Sequence, residues 1–186
     1  GNLSNRVTKW FGVRMTDNEI NEDDTVNKYL SDVEQIMRAH MYAPGSGLPT
    51  ALPEVYLELG AFGTAGMFIG ERSDGGLLFQ ARPLKELLIA ENSDGEVDTA
   101  FRATMMTVRQ IDQQWPGKAS PKILKMLADE KLDEMVEVVH AVMPRTDRDY
   151  GKKGQDNMPL LSCYFEYDTE YELGEGGFPE FPYACP

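Results

Sequence analysis

Apolar residues recur at three- and four-residue steps in two early stretches of the chain, and this spacing is typical of one helix face. The first stretch follows the acidic run at residues 21–25, where acidic side chains favour the positive end of a helix dipole. Its apolar positions run from Val26 to Met41 and predict one stripe along a helix of roughly four to five turns. The second stretch predicts a helix over residues 50–59, with glycines directly beyond it as its natural end.

Further along, the apolar period changes to two, which indicates strands. Strands are predicted at residues 65–69, 77–82 and 87–91, with turns at residues 73–76 and at Asp94-Gly95. The clearest alternation follows, in which one set of positions is apolar and the other includes Asp98 and Arg102; the apolar set is Val97, Thr99, Phe101, Ala103 and Met105. This pattern predicts a half-buried strand whose odd-numbered face, with Phe101 at its centre, packs in the core.

The second half of the chain predicts two short helices and two long strands. Residues 107–110 match a capping box that opens one helix, and Ser120-Pro121 opens the next. Strands are expected at about residues 135–143 and 160–173, joined by a polar segment at 144–159 that we interpret as a mobile hairpin tip, and the tail from Gly174 is expected to be irregular. The element order predicts an α+β fold with N-terminal helices packed on a mostly antiparallel β-sheet, as a single domain over residues 1–186.

Composition narrows the class of function. With 186 residues and 41% hydrophobic content, the chain has enough apolar material for a core. Its 18 basic and 31 acidic residues give a net charge of −13, so the chain is a poor candidate for binding nucleic acid by neutralising phosphates. No apolar run is long enough to cross a bilayer, and no signal peptide is recognised. We interpret Cys163 and Cys185 as free thiols in a reducing compartment, and the Gly1 start and abrupt Cys185-Pro186 end as those of an excised piece.

Candidate chemistry is sparse, and we predict no catalytic, cofactor-binding or metal-ligating residue. The histidines, His40 and His140, lie in no metal-binding spacing and are expected to be packed or hydrogen-bonded. Three acidic clusters lack the EF-hand pattern and are interpreted as a helix start, a loop tip and a solvated strand face; they lie at residues 19–24, 147–149 and 166–172. The glycine-rich segment 60–66 lacks the Lys-Ser/Thr ending of a phosphate loop, so we expect close backbone packing there instead.

Five segments together resemble podovirus-type head-to-tail connecting (portal) proteins. They keep the family's order and spacing from roughly Trp10 to Pro182, and they lie at residues 53–65, 89–99, 106–110, 139–145 and 178–182. Each segment alone is weak, whereas five in register are specific. The sequence departs from the family at residues 41–45, where an Asn-Phe pair is usual.

This resemblance implies a non-enzymatic structural protein of the virion. Portal proteins form a ring, usually of twelve subunits, at one capsid vertex, where the terminase motor drives DNA in and from which DNA leaves on infection. The implied partners are other portal subunits, capsid and scaffold proteins, the terminase and a tail adaptor, with no cofactor, no membrane and no sequence-specific DNA binding. The implied location is the portal vertex, after assembly in the host cytoplasm. The chain would be the wing-type region without the stem and clip.

Two other interpretations stay open at this point. One alternative is a binding or adaptor module of another viral assembly that shares only the fold with portal proteins, and neighbouring genes would distinguish it. A less favoured alternative is an acidic α+β enzyme assisted by a metal ion, because clustered carboxylates can bind metals or transfer protons. A metal titration and a panel of hydrolase substrates would distinguish the enzyme.

Overall fold

The computed structural model describes residues 9–149 and 151–186, and the chain divides into two compact units. The first unit ends at Ala81, and the second runs Arg82–Cys185. Both units combine helices with strands, which confirms the predicted α+β class. The predicted domain range of 1–186 includes residues 1–8 and 150, which lie outside the described residues.

The first unit holds the two predicted N-terminal helices and a β-hairpin. Its elements are a 3-10 turn Ile20–Glu22, α1 Asp24–Met41, α2 Leu48–Phe62, β1 Gly66–Glu71 and β2 Leu77–Arg82, whose last residue belongs to the second unit. The carboxylate of Asp23 caps α1 by accepting hydrogen bonds from the backbone N–H groups of Thr25 and Val26. Acidic residues therefore start this helix, as the sequence predicts.

Helix α2 and the hairpin share the core of the first unit. Leu48 and Ala51 of α2 are buried against Phe79 of β2 and Tyr42. The N–H group of Phe79 donates a 2.7 Å hydrogen bond to the carbonyl oxygen of Ser46, which joins the hairpin to the turn before α2. One N-terminal helix thus packs on a small β-hairpin.

The second unit is built on a five-stranded antiparallel sheet of order β3-β4-β5-β6-β7. The five strands of this sheet are β3 Leu87–Glu91, β4 Val97–Thr107, β5 Met135–Pro144, β6 Leu160–Glu166 and β7 Glu172–Phe178, and the short strand β8 Tyr183–Ala184 lies outside this sheet. The helices of this unit are α3 Val108–Gln114 and α4 Pro121–Ala128, with 3-10 turns at Leu84–Glu86 and Gln155–Asn157. The capping box at Thr107 is present, with reciprocal bonds to Gln110.

The predicted strand at residues 160–173 is wrong as one element. Residues 167–171 form a turn between β6 and β7, and the N–H group of Glu166 donates to the carbonyl oxygen of Tyr171 across it. Glu170 takes a left-handed φ of 53°, which breaks the strand. Strand β7 then continues to Phe178, so the tail that we expected to be irregular from Gly174 begins in the sheet.

The predicted face of β4 is also wrong. Ala100, in the supposedly polar set, is fully buried, whereas Met105 is 53% exposed. Met106 packs on the core that α3 and α4 form with the sheet, and its pairing with Val136 puts both residues on that face. Both sets of side chains on β4 are partly apolar, so alternation alone does not identify the face that the helices cover.

We call these two surfaces of the five-stranded sheet the covered face and the open face. The covered face carries the core of this unit, in which α3 and α4 supply Val108, Ile111 and Ile123 against Val138 of β5 and Leu173 of β7. All five side chains are at most 1% exposed. Burial of this apolar surface stabilises the unit, and it fixes which side of the sheet the helices occupy.

Candidate functional site

The two histidines lie in different units and in different environments. His40 is exposed in the last turn of α1. His140 lies in β5 on the covered face and is only 6% exposed. Only His140 therefore has the surroundings of a buried polar site.

His140 is held by contacts on both ring nitrogens. Its Nε2 lies 2.9 Å from the hydroxyl of Ser162 on β6, and its Nδ1 lies 3.5 Å from the hydroxyl of Tyr183. The imidazole stacks on the ring of Tyr164, with centroids 4.0 Å apart and planes 5° from parallel. The prediction that this histidine is packed and hydrogen-bonded is confirmed.

Burial keeps His140 neutral. Desolvation, followed by the positive charges of Arg82 and Arg102, lowers the pKa of His140 from 6.5 to about 4. Arg102 forms an ion pair with Glu86, with 3.1 Å between Nη2 and Oε2. Burial, followed by the Arg102 charge, likewise lowers the pKa of Arg82. The imidazole therefore sits beside two cations and stays uncharged at neutral pH.

Ser162 and His140 together resemble the serine and histidine of a catalytic triad, so their geometry and basicity are compared with what such a triad requires. A serine nucleophile requires a histidine basic enough to accept its proton, with a third group that orients the imidazole. Here the pKa of His140 is lowered to about 4, and its second nitrogen faces the Tyr183 hydroxyl where a triad has a carboxylate. Ser162 is itself only 7% exposed. This geometry fits a buried structural network better than acyl transfer.

Glu166 shows that a residue from a predicted solvated cluster is in fact deeply buried. Its side chain is 1% exposed, and it accepts a 2.8 Å hydrogen bond from the backbone N–H of Ser120 and a 2.6 Å bond from the Thr169 hydroxyl. Ser120 is the N-cap of α4, so the carboxylate lies at the positive end of that helix. The interpretation of residues 166–172 as a solvated face is wrong at Glu166, because a helix start and a turn both use its oxygens.

The other acidic clusters have local structural roles. Two backbone N–H groups, of Thr25 and Val26, lower the pKa of Asp23, as expected of a helix cap. Asp149 accepts a bond from the N–H of Gly151 within the loop after β5. Among the described residues, no three His, Cys, Asp or Glu side chains come close enough to hold a metal ion.

The loop after β5, residues 145–159, is fastened at its base. The Arg145 side chain is 6% exposed and bonds to Glu175 of β7 at 2.7 Å and to the carbonyl oxygen of Gly176 at 3.0 Å. Farther out, the side-chain amide of Asn157 donates to the carbonyl oxygens of Asp149 and Lys152. These bonds give the predicted mobile tip a defined base, and its mobility stays a prediction.

Segment 60–66 leads from the end of α2 to the start of β1, and the expected close packing is absent at Gly60 and Gly63, whereas Ala65 and Gly66 are buried. Gly63 ends α2 with a left-handed φ of 80°, which glycine adopts without strain. Nothing lies within 4 Å of the position of a Cβ atom at Gly60 or Gly63. Backbone conformation, and not close approach, explains the glycine at position 63.

Both cysteines are free thiols. Burial, with a smaller contribution from Glu172 and Glu175, raises the pKa of Cys163, and burial raises the pKa of Cys185. Raised pKa values reduce the thiolate fraction, which disfavours a nucleophilic or metal-binding role.

The open face of the five-stranded sheet carries an apolar groove of about 360 Å³. We call it the open-face groove; its floor is formed by Phe101 and Ala103 of β4, Val139 of β5 and Phe165 of β6. Leu88 of β3 and Tyr167 stand at its rim, 73% and 58% exposed. An uncovered apolar surface of this kind marks a site of interaction.

Sequence patterns could not locate this groove, although they contained its signal. The odd-numbered apolar set on β4, which we expected in the core, contributes Phe101 and Ala103 to the groove floor. An apolar face looks the same in the sequence whether its own chain or a partner covers it.

Comparison with known proteins identifies the family. The model of the bacteriophage head to tail connecting protein family matches residues 1–186. The chain belongs to this family. It is 32% identical over 187 residues to the probable portal protein of Bordetella phage BPP-1, and 32% identical over 187 residues to the portal protein of Salmonella phage epsilon15. Each alignment covers 99% of this chain and 33% of the relative.

Membership of the head to tail connecting family confirms the resemblance predicted from the five segments. The chain spans about a third of the length of the curated relatives that it matches. Within the residues that the structure describes, no helix combines the length and apolar character needed to cross a bilayer. The open-face groove and the buried His140 network are therefore features of a head to tail connecting protein.

Proposed function

We propose that this chain is a structural part of a phage portal, the ring through which DNA enters and leaves the capsid. The family match over residues 1–186 and the portal relatives support this role. The observation that carries the proposal within the fold is the open-face groove, because a sheet face left apolar and uncovered fits a protein that functions in an assembly.

The finer parts of the proposal concern architecture and partners. The two units together form one wing domain over residues 1–186, and the stem and clip are contributed by other parts of the protein. Twelve copies form the ring, which contacts capsid and scaffold proteins, the terminase and a tail adaptor at the portal vertex, after assembly in the host cytoplasm. The net charge of −13 disfavours binding of DNA phosphates. This charge is suitable for a ring through which DNA passes without being bound.

The proposal includes no hydrolytic role and no cofactor. The buried Ser162, the weakly basic His140 and the raised thiol pKa values support a structural protein. A panel of hydrolase substrates, with and without divalent metal ions, tests this part, and we expect no turnover.

The deciding experiment uses the full-length protein. We expect the purified protein to form closed rings in electron micrographs, and we expect phage in which its gene is disrupted to produce capsids that contain no DNA. A parallel culture with the intact gene supplied from a plasmid is the control and should restore DNA-filled heads. A protein that stays monomeric at all concentrations, together with DNA-filled heads without it, would contradict the proposed function.

A further inference from the structure

Among the apolar surfaces that are exposed in the described part of the chain, two differ in shape. One is the concave open-face groove in the second unit. The other is a convex ridge on α1 in the first unit, formed by Tyr29, Val33 and Ile36, which we call the α1 ridge. Tyr29 and Ile36 are 66% and 59% exposed, whereas Leu30 on the inner side of the helix is 7% exposed.

The α1 ridge follows from helix geometry. Steps of four and three residues place Tyr29, Val33 and Ile36 on one side of the helix, about 100° from the side that Leu30 and Glu34 bury. The apolar stripe predicted from the sequence is therefore split, and half of it faces outwards. In helix-in-groove recognition, an apolar groove binds apolar side chains that are spaced three and four residues apart on one helix.

Each of the two surfaces has an exposed charged side chain beside it, and these two side chains are of opposite sign; Glu86, which also lines the groove, is paired with Arg102. Lys85 is exposed beside the groove, and Asp32 is exposed beside the ridge, between Tyr29 and Ile36 along the helix. Neither side chain forms an ion pair within residues 9–149 and 151–186. An ion pair between them would complete the polar rim of an interface with an apolar centre.

A closed ring requires this kind of surface pair. Head-to-tail contacts join two different patches, each of which must be present once on every subunit. We propose that the α1 ridge of one subunit docks into the open-face groove of its neighbour, with Asp32 facing Lys85. This inference rests on the proposed ring, and it identifies which surfaces close that ring. Ile36 and Tyr29 would enter the groove, and Leu88 would cover them at its rim.

Cysteine cross-linking in the full-length protein tests the contact directly. All natural cysteines, including Cys163 and Cys185, are replaced by serine, and Ile36→Cys is combined with Leu88→Cys. Because both positions are well exposed, these changes leave the fold intact. A short bismaleimide added to assembled rings should give a ladder of covalently linked subunits on a denaturing gel.

The matched control replaces only the groove partner. Ile36→Cys with Leu124→Cys keeps one thiol on the ridge and moves the other to α4, 40% exposed and over the opposite face of the sheet. This pair should give no ladder. Rings that form normally but give no ladder with Leu88→Cys would overturn the inference and leave the proposed function standing.

Other occupants of the groove give other results, and each would also overturn the inference. Loss of both thiols in single chains that carry one cross-linker each, without a ladder, would mean that α1 reaches the groove of its own chain. Protection of the Leu88→Cys thiol in unassembled subunits would mean that another part of the full-length protein covers it. Absence of rings from the unmodified protein would refute the proposed function itself.

Charge reversal provides a second, independent measurement. Asp32→Lys and Lys85→Glu should each lower the yield of rings by about two- to fivefold, as expected for a pair at the rim of an interface. The double variant restores the opposite charges in exchanged positions and should recover the yield. A double variant as weak as the single ones would contradict the pairing of Asp32 with Lys85.

Discussion

Acidification should destabilise the second unit through His140. Its pKa is about 4 in the folded chain and near 6.5 in the unfolded chain. Between these values the unfolded state binds a proton that the folded state does not, so stability rises with pH and is lost as the pH falls from about 6.5 towards 4. The full difference corresponds to about 3 kcal/mol, and about 2 kcal/mol of it falls between pH 7 and pH 5.

The assay compares urea unfolding at pH 7 and pH 5. Trp115 packs on Tyr164, so its fluorescence reports the unfolding of the second unit in a Trp10→Phe background. His140→Gln removes the titrating group while leaving an amide that can bond to Ser162. We expect this variant to lose about 2 kcal/mol less than the parent on going from pH 7 to pH 5. Carboxyl groups titrate in both proteins and cancel in the comparison.

An exposed histidine serves as the control. His40→Gln should keep the pH dependence of the parent in this assay, because His40 lies in the first unit and the Trp115 signal reports unfolding of the second. If His140→Gln and the parent lose the same free energy between the two pH values, then burial beside Arg82 and Arg102 does not keep His140 neutral, and the reasoning is refuted.

Three further predictions concern packing and hydrogen bonding in the second unit. Ala100→Asp should unfold this unit, because burying a carboxylate costs several kcal/mol. Phe101→Asp should leave the unit folded in thermal melts, because Phe101 lies in the open-face groove; equal melting temperatures of the two variants would contradict the assignment of faces. Glu166→Ala should lower the free energy of unfolding in urea by about 3 kcal/mol, and Glu166→Gln by about half of that, because the amide oxygen still accepts one hydrogen bond. Equal losses would contradict a hydrogen-bonding role of this side chain. Gly177→Ala should cost about 1–3 kcal/mol, since its Cβ would lie 2.5 Å from a carbonyl oxygen, while Gly176→Ala has open space and should be nearly neutral; a neutral Gly177→Ala would refute the close approach.

Local signals in the sequence predicted the elements well. The acidic run before α1, the capping box at Thr107 and the Ser120-Pro121 helix start all act within a few residues, and each is present in the structure. The strands Leu77–Arg82 and Leu87–Glu91 have the predicted bounds. Where neighbouring residues alone determine the backbone conformation, the sequence pattern was sufficient to predict where helices and strands begin and end.

Features that depend on distant contacts were missed. The stripe on α1 and the alternation on β4 both indicate amphipathic elements, yet neither shows which half of its apolar surface the chain itself covers. Ile36 and Phe101 were expected among core residues, and they belong to an exposed ridge and a groove. The contact of His140 with Ser162 spans 22 residues of sequence, and no spacing rule predicts such a pair.

The hydrogen bonds of Glu166 have a consequence for the order of folding. Its carboxylate reaches back 46 residues to the first turn of α4, an eight-residue helix that is too short to persist alone in water. The Ser120 hydroxyl caps α4 locally, whereas the bond from the Ser120 N–H to Glu166 forms only when β6 is in place, and the Thr169 hydroxyl bonds to the same carboxylate. We therefore expect α4 to become fully stable late in folding, after this contact across 46 residues has formed.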